Sequence, residues 1–403
     1  MQCSKWLALV CATIVALTES VVAASPHTAQ LTDVADAAEP DNPFDFNASV
    51  GFRRTVRRAR ITREAFVDGQ ATFADELTMN QVTQALDIRA QIALYHDLEF
   101  NFYMPYVFNQ DADWDFRVPR ELSTIVTDPT LGTALFDVPY RSYKRGLQSL
   151  DFGLAWSPFN DQRDDTKPTW TIRFTYSFPV GAAFAPIRDG ADPVADAALA
   201  QDVANGRDPN NPAAVGDKVH RLRFETSFSK RFLVFDPYVT LSYTHAIADR
   251  AGITGHTPPL TGGFTTGIEI IPWDTPAERQ RLSFDLRLSA SFVGPGRTYS
   301  ELTDPLRQLT YVDNYATLTA GAYLVFQPIQ YVRLSAGISV GHDTQHLITN
   351  ENPGNPGADG VVDLNDPNER NPNYRGELDS PGRRFRVEDT TIFTWYVSLQ
   401  LML

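Results

Sequence analysis

The chain predicts an antiparallel transmembrane β-barrel of about twelve strands, and three features carry that prediction. Thr169 to Phe178 alternates strictly. Trp170, Ile172, Phe174, Tyr176 and Phe178 share one face of a strand, and Thr171, Arg173, Thr175 and Ser177 share the other, because successive strand side chains point to opposite faces. One face is wholly large and apolar and the other has an arginine at its centre. That suits a strand between lipid and water, and about ten residues is what a tilted transmembrane strand needs. The second feature is an export layout at the N-terminus. Lys5 gives a basic start, Trp6 to Leu17 is an apolar run, and Val22-Ala23-Ala24-Ser25 supplies small residues for cleavage. The third is an asymmetry of connections, in which short polar turns alternate with long loops rich in Asp, Asn, Pro and Gly.

The apolar run at the N-terminus is too short to span a bilayer as a helix, and no other stretch approaches that length. An exported chain of this kind is either soluble or a closed barrel, the other way to satisfy every backbone group in lipid. Both cysteines, Cys3 and Cys11, fall in the export segment, so the mature chain is expected to carry none. Val10 precedes Cys11 where a lipoprotein signal would place a small residue, which argues against a lipid anchor. A net charge of −14 argues against a nucleic-acid partner and fits acidic surface loops. The expected organisation is a signal peptide over 1–24, a disordered lead-in over 25–43 and a barrel over 44–403.

The elements follow in order. The first strand alternates from Phe44, with Phe46, Ala48, Val50 and Phe52 opposite Asn47, Ser49, Gly51 and Arg53. The basic cluster Arg53, Arg54, Arg57, Arg58, Arg60 and Arg63 then reads either as a solvated rim or hairpin or as a rim that pairs with lipid phosphates. A second strand near Val82 to Leu94 returns through Tyr95-His96-Asp97 into a third, which Pro105 ends or bulges. A loop over 109–142 leads to a fourth strand around Leu150 to Trp156, and the turn Asn160 to Pro168 leads to the fifth, Thr169 to Phe178. Past a loop over 182–217, strands six and seven centre on Leu222 to Phe228 and Val239 to Tyr243. Strand eight, Phe264 to Ile271, has the weakest pattern. Strand nine, Leu282 to Phe292, has a clean one. Strands ten and eleven form a hairpin through Gln327-Pro328-Ile329, and the longest loop, 343–384, precedes a last strand ending at Leu403. Parity supports strand eight: with twelve strands every long loop lies at one end. An apolar C-terminal residue in alternating phase resembles the signal read by the barrel-assembly machinery.

The charges choose the lipid face. Arg53, Arg89, Arg173, Arg221, Arg223, Arg287 and Arg333 fall in the polar phase, as do Asp87, Glu99, Asp151, Glu225, Glu269 and Asp285. No Asp, Glu, Lys or Arg falls in the apolar phase within the strand centres. An arginine facing lipid near the midplane costs about 2–4 kcal/mol, which accounts for the segregation. These thirteen groups are the expected lining of the lumen. They would either select small-molecule solutes as a charged constriction or pair across the lumen and fill it. Lipids and lipopolysaccharide would be the outer partners. The alternative is a structural or adhesive barrel whose acidic loops hold a partner. Hydrolysis has little support, since none of the seven histidines sits beside an inward serine with a third partner. His342 and His346 share a strand face near a rim, where a metal pair competes with two solvated side chains. Asp359, Asp363 and Asp366, around Gly360, partly match a calcium loop.

Four short stretches carry a family resemblance: Tyr95-His96-Asp97-Leu98-Glu99-Phe100, then Pro105-Tyr106, Leu150-Asp151-Phe152-Gly153-Leu154, and Phe178-Pro179-Val180-Gly181. Together they resemble the outer-membrane transporters named for the MetA pathway of phenol degradation. The chain departs from that pattern with Gln148-Ser149 where the family has Gly-Asp, and with Val180 where it has Thr. The resemblance implies a barrel for uptake of small molecules, aromatic ones among them, and assigns no binding residue.

Overall fold

The computed structural model describes residues 32, 34–35, 45–127, 134–161, 163–182, 187–188, 214–250, 255–275 and 278–402. The expected signal peptide, most of the lead-in and Leu403 lie outside the described residues. The strands are β1 (Phe46–Val67), β2 (Gln70–Tyr95), β3 (Leu98–Phe116), β4 (Tyr140–Leu147), β5 (Leu150–Phe159), β6 (Thr169–Phe178) and β7 (Val219–Ser229). They continue with β8 (Phe235–Ala248), β9 (Thr261–Thr275), β10 (Gln280–Val293), β11 (Tyr315–Ile329), β12 (Val332–Asp343) and β13 (Phe385–Met402). β4 and β5 are two halves of one stave, interrupted at Gln148-Ser149 and both paired to β3. Twelve staves result, each antiparallel to the next, and β1 closes on β13 from Asn47↔Met402 to Arg63↔Phe385. The weak eighth stave is real: β9 pairs β8 on one side and β10 on the other.

Alternation sets the two faces as expected. Phe174, Phe224, Phe284, Leu288, Ile338, Phe393 and Val397 stand exposed on the outer wall, while Asp87, Glu225, Glu269 and Asp285 are buried inside. One end of the barrel carries the turns at 96–97, 163–168, 230–234, 278–279 and 330–331. The other carries the long connections, with the two-residue turn Asp68-Gly69 between β1 and β2 as its exception.

Several strands run well past their expected ends, for one physical reason. Near the loop end the inward phase changes from polar to apolar. On β1, Gly51, Arg53 and Thr55 give way to Ala59 and Ile61; on β2, Asp87 gives way to Met79 and Leu77; on β13, Thr394 gives way to Val387 and Phe385. There the wall faces water outside and a packed core inside, so a pattern read for lipid outside and water inside stops. Pro105 sits inside β3, opposite Asp87, with bulges nearby. The expected loop over 109–142 is partly wall, since β3 reaches Phe116 and β4 starts at Tyr140. The basic cluster is not a hairpin rim either: all six arginines lie within β1.

The core itself plugs the loop end. Three connections fold inward, bringing Ile125, Phe136 and Val138 from the first, Leu302 and Val312 from the second, and Ile348 and Leu378 from the third. They pack on Ile61, Leu77, Trp114, Tyr140 and Phe385 of the wall.

Candidate functional site: the charged lumen

Below that cap the thirteen expected charges face the interior, Arg221 beside the long connections and most of the others nearer the turn end, and their partners lie beside them along the wall. Arg53 Nε donates to Asp87 Oδ2 (3.0 Å), and the Tyr103 hydroxyl donates to Asp87 Oδ1 (2.8 Å). The Arg89 guanidinium lies over the Tyr103 ring, 4.2 Å from its centroid. Arg173 Nη1 and Arg223 Nη2 both donate to Glu225, at 3.0 and 2.7 Å. Arg281 donates to Glu269 (2.9 Å). Arg221 pairs with Asp217, and Arg333 Nε donates to Gln327 Oε1 (3.1 Å). Asp151 accepts from the Ser149 hydroxyl (2.9 Å). Each of these pairings joins groups on the same strand, on neighbouring strands or on a strand and its adjoining loop. In these pairs the partners lie along the wall, where a filled lumen would pair them across it.

A second arrangement was not anticipated. Tyr238 donates to Asp285 Oδ1 (2.7 Å) and accepts from Arg287 Nε (2.9 Å), and Arg287 also pairs with Asp285 and lies 4.6 Å from the Tyr323 centroid. Tyr323 in turn meets Tyr396 at 5.9 Å. These rings lie flat against the wall because glycines leave room. A Cβ on Gly267 would stand 2.4 Å from the Tyr238 hydroxyl, and one on Gly337 would stand 2.3 Å from Tyr323 and 2.6 Å from Tyr396. Arg287 is therefore sealed into the wall, with its side chain 2 % exposed, and is no part of a constriction. A signal for this existed: Gly267 pairs with Tyr238, and Gly337 pairs with both Tyr323 and Tyr396, each directly across the ladder.

The stretch read as a disordered lead-in also reaches the lumen. Thr32 meets the Ser229 hydroxyl (2.9 Å), its carbonyl accepts from Thr171 Oγ1 (2.8 Å), and Ala35 N donates to Glu99 Oε2 (3.0 Å). Thr32, Val34 and Ala35 are all buried. Glu99 thus holds a backbone group of the N-terminal segment as well as Gln91 (3.1 Å).

The three aspartates of the calcium expectation, Asp359, Asp363 and Asp366, are bonded within their own turns, at Val361, Asn365 and Asn368, and among the described residues no three His, Cys, Asp or Glu side chains converge. His342 and His346 part as well, His342 exposed on the outer wall and His346 buried and stacked on Tyr315.

Neither a family model nor a curated protein matches the chain. Among solved structures it is similar to an outer-membrane channel from Pseudomonas putida F1, at 9% identity over 88% of this chain and 95% of that one, with a TM-score of 0.42. A FadL homologue of Pseudomonas aeruginosa gives 9% identity, coverage of 96% and 99%, and a TM-score of 0.35. The outer-membrane protease OmpT from Escherichia coli gives 7%, coverage of 89% and 97%, and 0.31. These likenesses assign no function, since one barrel frame serves channels and a protease alike.

Proposed function

We propose that the chain is an outer-membrane channel of a Gram-negative bacterium. It would be exported through its signal peptide and would passively admit small hydrophilic or amphiphilic molecules, with anionic ones favoured. Its long loops would face the outside and its short turns the periplasm. One observation carries the reading: the guanidiniums cover the carboxylates they pair with. The Arg223 and Arg173 side chains are 34 % and 20 % exposed over a Glu225 that is 9 % exposed, and Arg53 is 15 % exposed over an Asp87 at 1 %. A solute in the lumen therefore meets positive charge, which raises the local anion concentration. The resemblance to the MetA-pathway transporters agrees with an amphiphilic or aromatic solute.

The apolar core at the loop end favours a second reading, a closed structural or adhesive barrel. Purified protein in a planar bilayer separates the two. A channel conducts and prefers anions, and Arg173→Glu with Arg223→Glu reverses that preference toward cations. A folded but silent barrel sinks the channel reading. Conduction with unchanged selectivity removes these arginines from the path.

A further inference from the structure

β1 holds three arginines that point the other way, Arg54, Arg58 and Arg60. Gly51, Arg53, Thr55, Arg57 and Ala59 face inward, so Phe52, Arg54, Val56 and Arg58 face outward. This revises the expectation of an uncharged outer wall. Arg54 lies between Phe52 and Val56, in register with Trp395 of β13 and Gln84 of β2. Arg58 follows two outward positions nearer the loop end, in register with Thr391 and Asn80. Phe52 packs on Trp395 and Phe108 at 5.2 and 5.7 Å between ring centroids, an aromatic patch at the upper edge of the apolar wall.

The arginines of β1 other than Arg54 and Arg58 all have partners in the protein. Arg53 has Asp87, Arg57 has Glu301 and Asp343, Arg60 has Asp75, Glu388 and Asp389, and Arg63 has the carbonyls of Thr124, Arg383 and Glu377. Arg54 and Arg58 have none among the described residues, and the Arg54 Nε is shielded from solvent and unbonded. An unpaired guanidinium on a lipid-facing wall is costly at the midplane and nearly free of cost near the headgroups. The position of Arg54 beside the aromatic edge puts it where phosphates begin. The acids nearest Arg58 on this face, Asp75, Glu388 and Asp389, are taken by Arg60, and Asp111 and Asp113 of β3, two strands and about 10 Å away, accept from Asn109 and Asn80. Arg141 and Arg145 of β4, outward and exposed, add cations on the far side of the patch, Arg141 in register with Asp113.

We infer that Arg54 and Arg58, with Arg145 at the margin, bind a phosphate of a lipid in the leaflet at the loop end. In an outer membrane that lipid is the phosphorylated glycolipid, lipid A. A guanidinium fork matches two phosphate oxygens, Gln84 offers a neutral donor between the strands, and the Phe52–Trp395 patch receives the acyl chains. The inference needs the barrel in a membrane but is independent of conduction, so a silent bilayer leaves it standing.

Native mass spectrometry of the folded barrel tests it, with lipid A, dephosphorylated lipid A and phosphatidylglycerol as probes. Lipid A should bind at least about tenfold more tightly than its dephosphorylated form, the scale of one lost charge-assisted hydrogen bond. Arg54→Gln with Arg58→Gln should lower lipid A binding to the dephosphorylated level while heat-modifiable mobility is kept. Equal binding of the two lipid A forms overturns the inference, and so does a folded variant that binds like wild type. Phosphatidylglycerol bound as tightly as lipid A overturns the assignment to the glycolipid leaflet. Should the double variant fail to fold, the two lipid A forms on the wild-type protein still decide.

Discussion

At the loop end the interior is filled by Ile125, Leu302, Ile348, Leu378 and Phe385, contributed by three loops and the wall. At the turn end the same wall presents Arg53, Arg89, Arg173 and Arg223, each held by a partner close by. The charge pairs of the lower part need only neighbouring strands, whose register already places Arg173 opposite Glu225. The cap needs segments far apart in sequence. Hydrogen-bonded closure supports the wall with or without a filled mouth, whereas the cap depends on apolar packing and a few buried ion pairs. The two should therefore be separable: the cap can be loosened while the barrel persists.

The buried pair between Lys144 of β4 and Asp304 is the sharpest place to try, and the largest effect is expected there. Lys144 Nζ lies 2.9 Å from the carboxylate, which also accepts from Ser142, and both charged side chains are about 5 % exposed. Asp304→Ala removes the carboxylate that holds the buried ammonium, a change that costs about 3–5 kcal/mol. The loss should fall on the cap. Loop 294–314 should become sensitive to protease and bilayer conductance should rise, while heat-modifiable mobility stays. Lys144→Met combined with Asp304→Leu should restore protection, because an apolar pair of similar volume carries no desolvation cost. A variant that loses the barrel together with the cap would show that the two regions are not separable.

That separation also explains what was legible in the sequence. Strand existence, the inward phase of the thirteen charges and even the weak β9 follow from a period-two pattern, which lipid enforces on each strand by itself. The cap does not, because Leu302, Ile125 and Leu378 sit in loops without periodicity and meet only in three dimensions. The extensions of β1, β2 and β13 were hidden because their apolar face turns inward where lipid ends. Arg287 was placed on the correct face, yet its burial depends on Tyr238 and Tyr323 lying over glycines. Pairwise register shows that, and single-strand alternation does not.

In the lower region the comparable break is Gly337→Val. The added Cβ meets Tyr323 and Tyr396 at 2.3 and 2.6 Å, so one ring must leave the wall for the lumen. Overpacking of this kind costs about 1–3 kcal/mol, a smaller loss than removal of Asp304. Because each stave keeps its ladder, unfolding should stay a single transition, displaced to lower denaturant concentration. Conductance should fall, the opposite sign to Asp304→Ala. An unchanged conductance would mean that the displaced tyrosine lies off the conducting path.

The smallest effect belongs to the outer loops and distinguishes them from both regions by pH. His256 packs edge-on against Tyr299 at 5.4 Å between ring centroids, and its Nε2 lies 3.3 Å from Thr298 Oγ1. Burial holds its pKa down to about 4, while Asp217 pulls it upward and Arg221 pushes it further down. A histidine near 6.5 in the unfolded loop and near 4 in the folded one takes up its proton more readily on unfolding. Its contribution is therefore complete above about pH 6.5 and is lost as pH falls toward 4, by at most about 1.4 kcal/mol per pH unit. Protease cleavage in loop 249–260 should accelerate between about pH 7 and pH 5. His256→Phe keeps the ring contact and removes the titrating group, so it should flatten that profile while the cleavage rate of loop 294–314 stays as in wild type. Equal acceleration in the variant would assign the pH response to other groups of the loop.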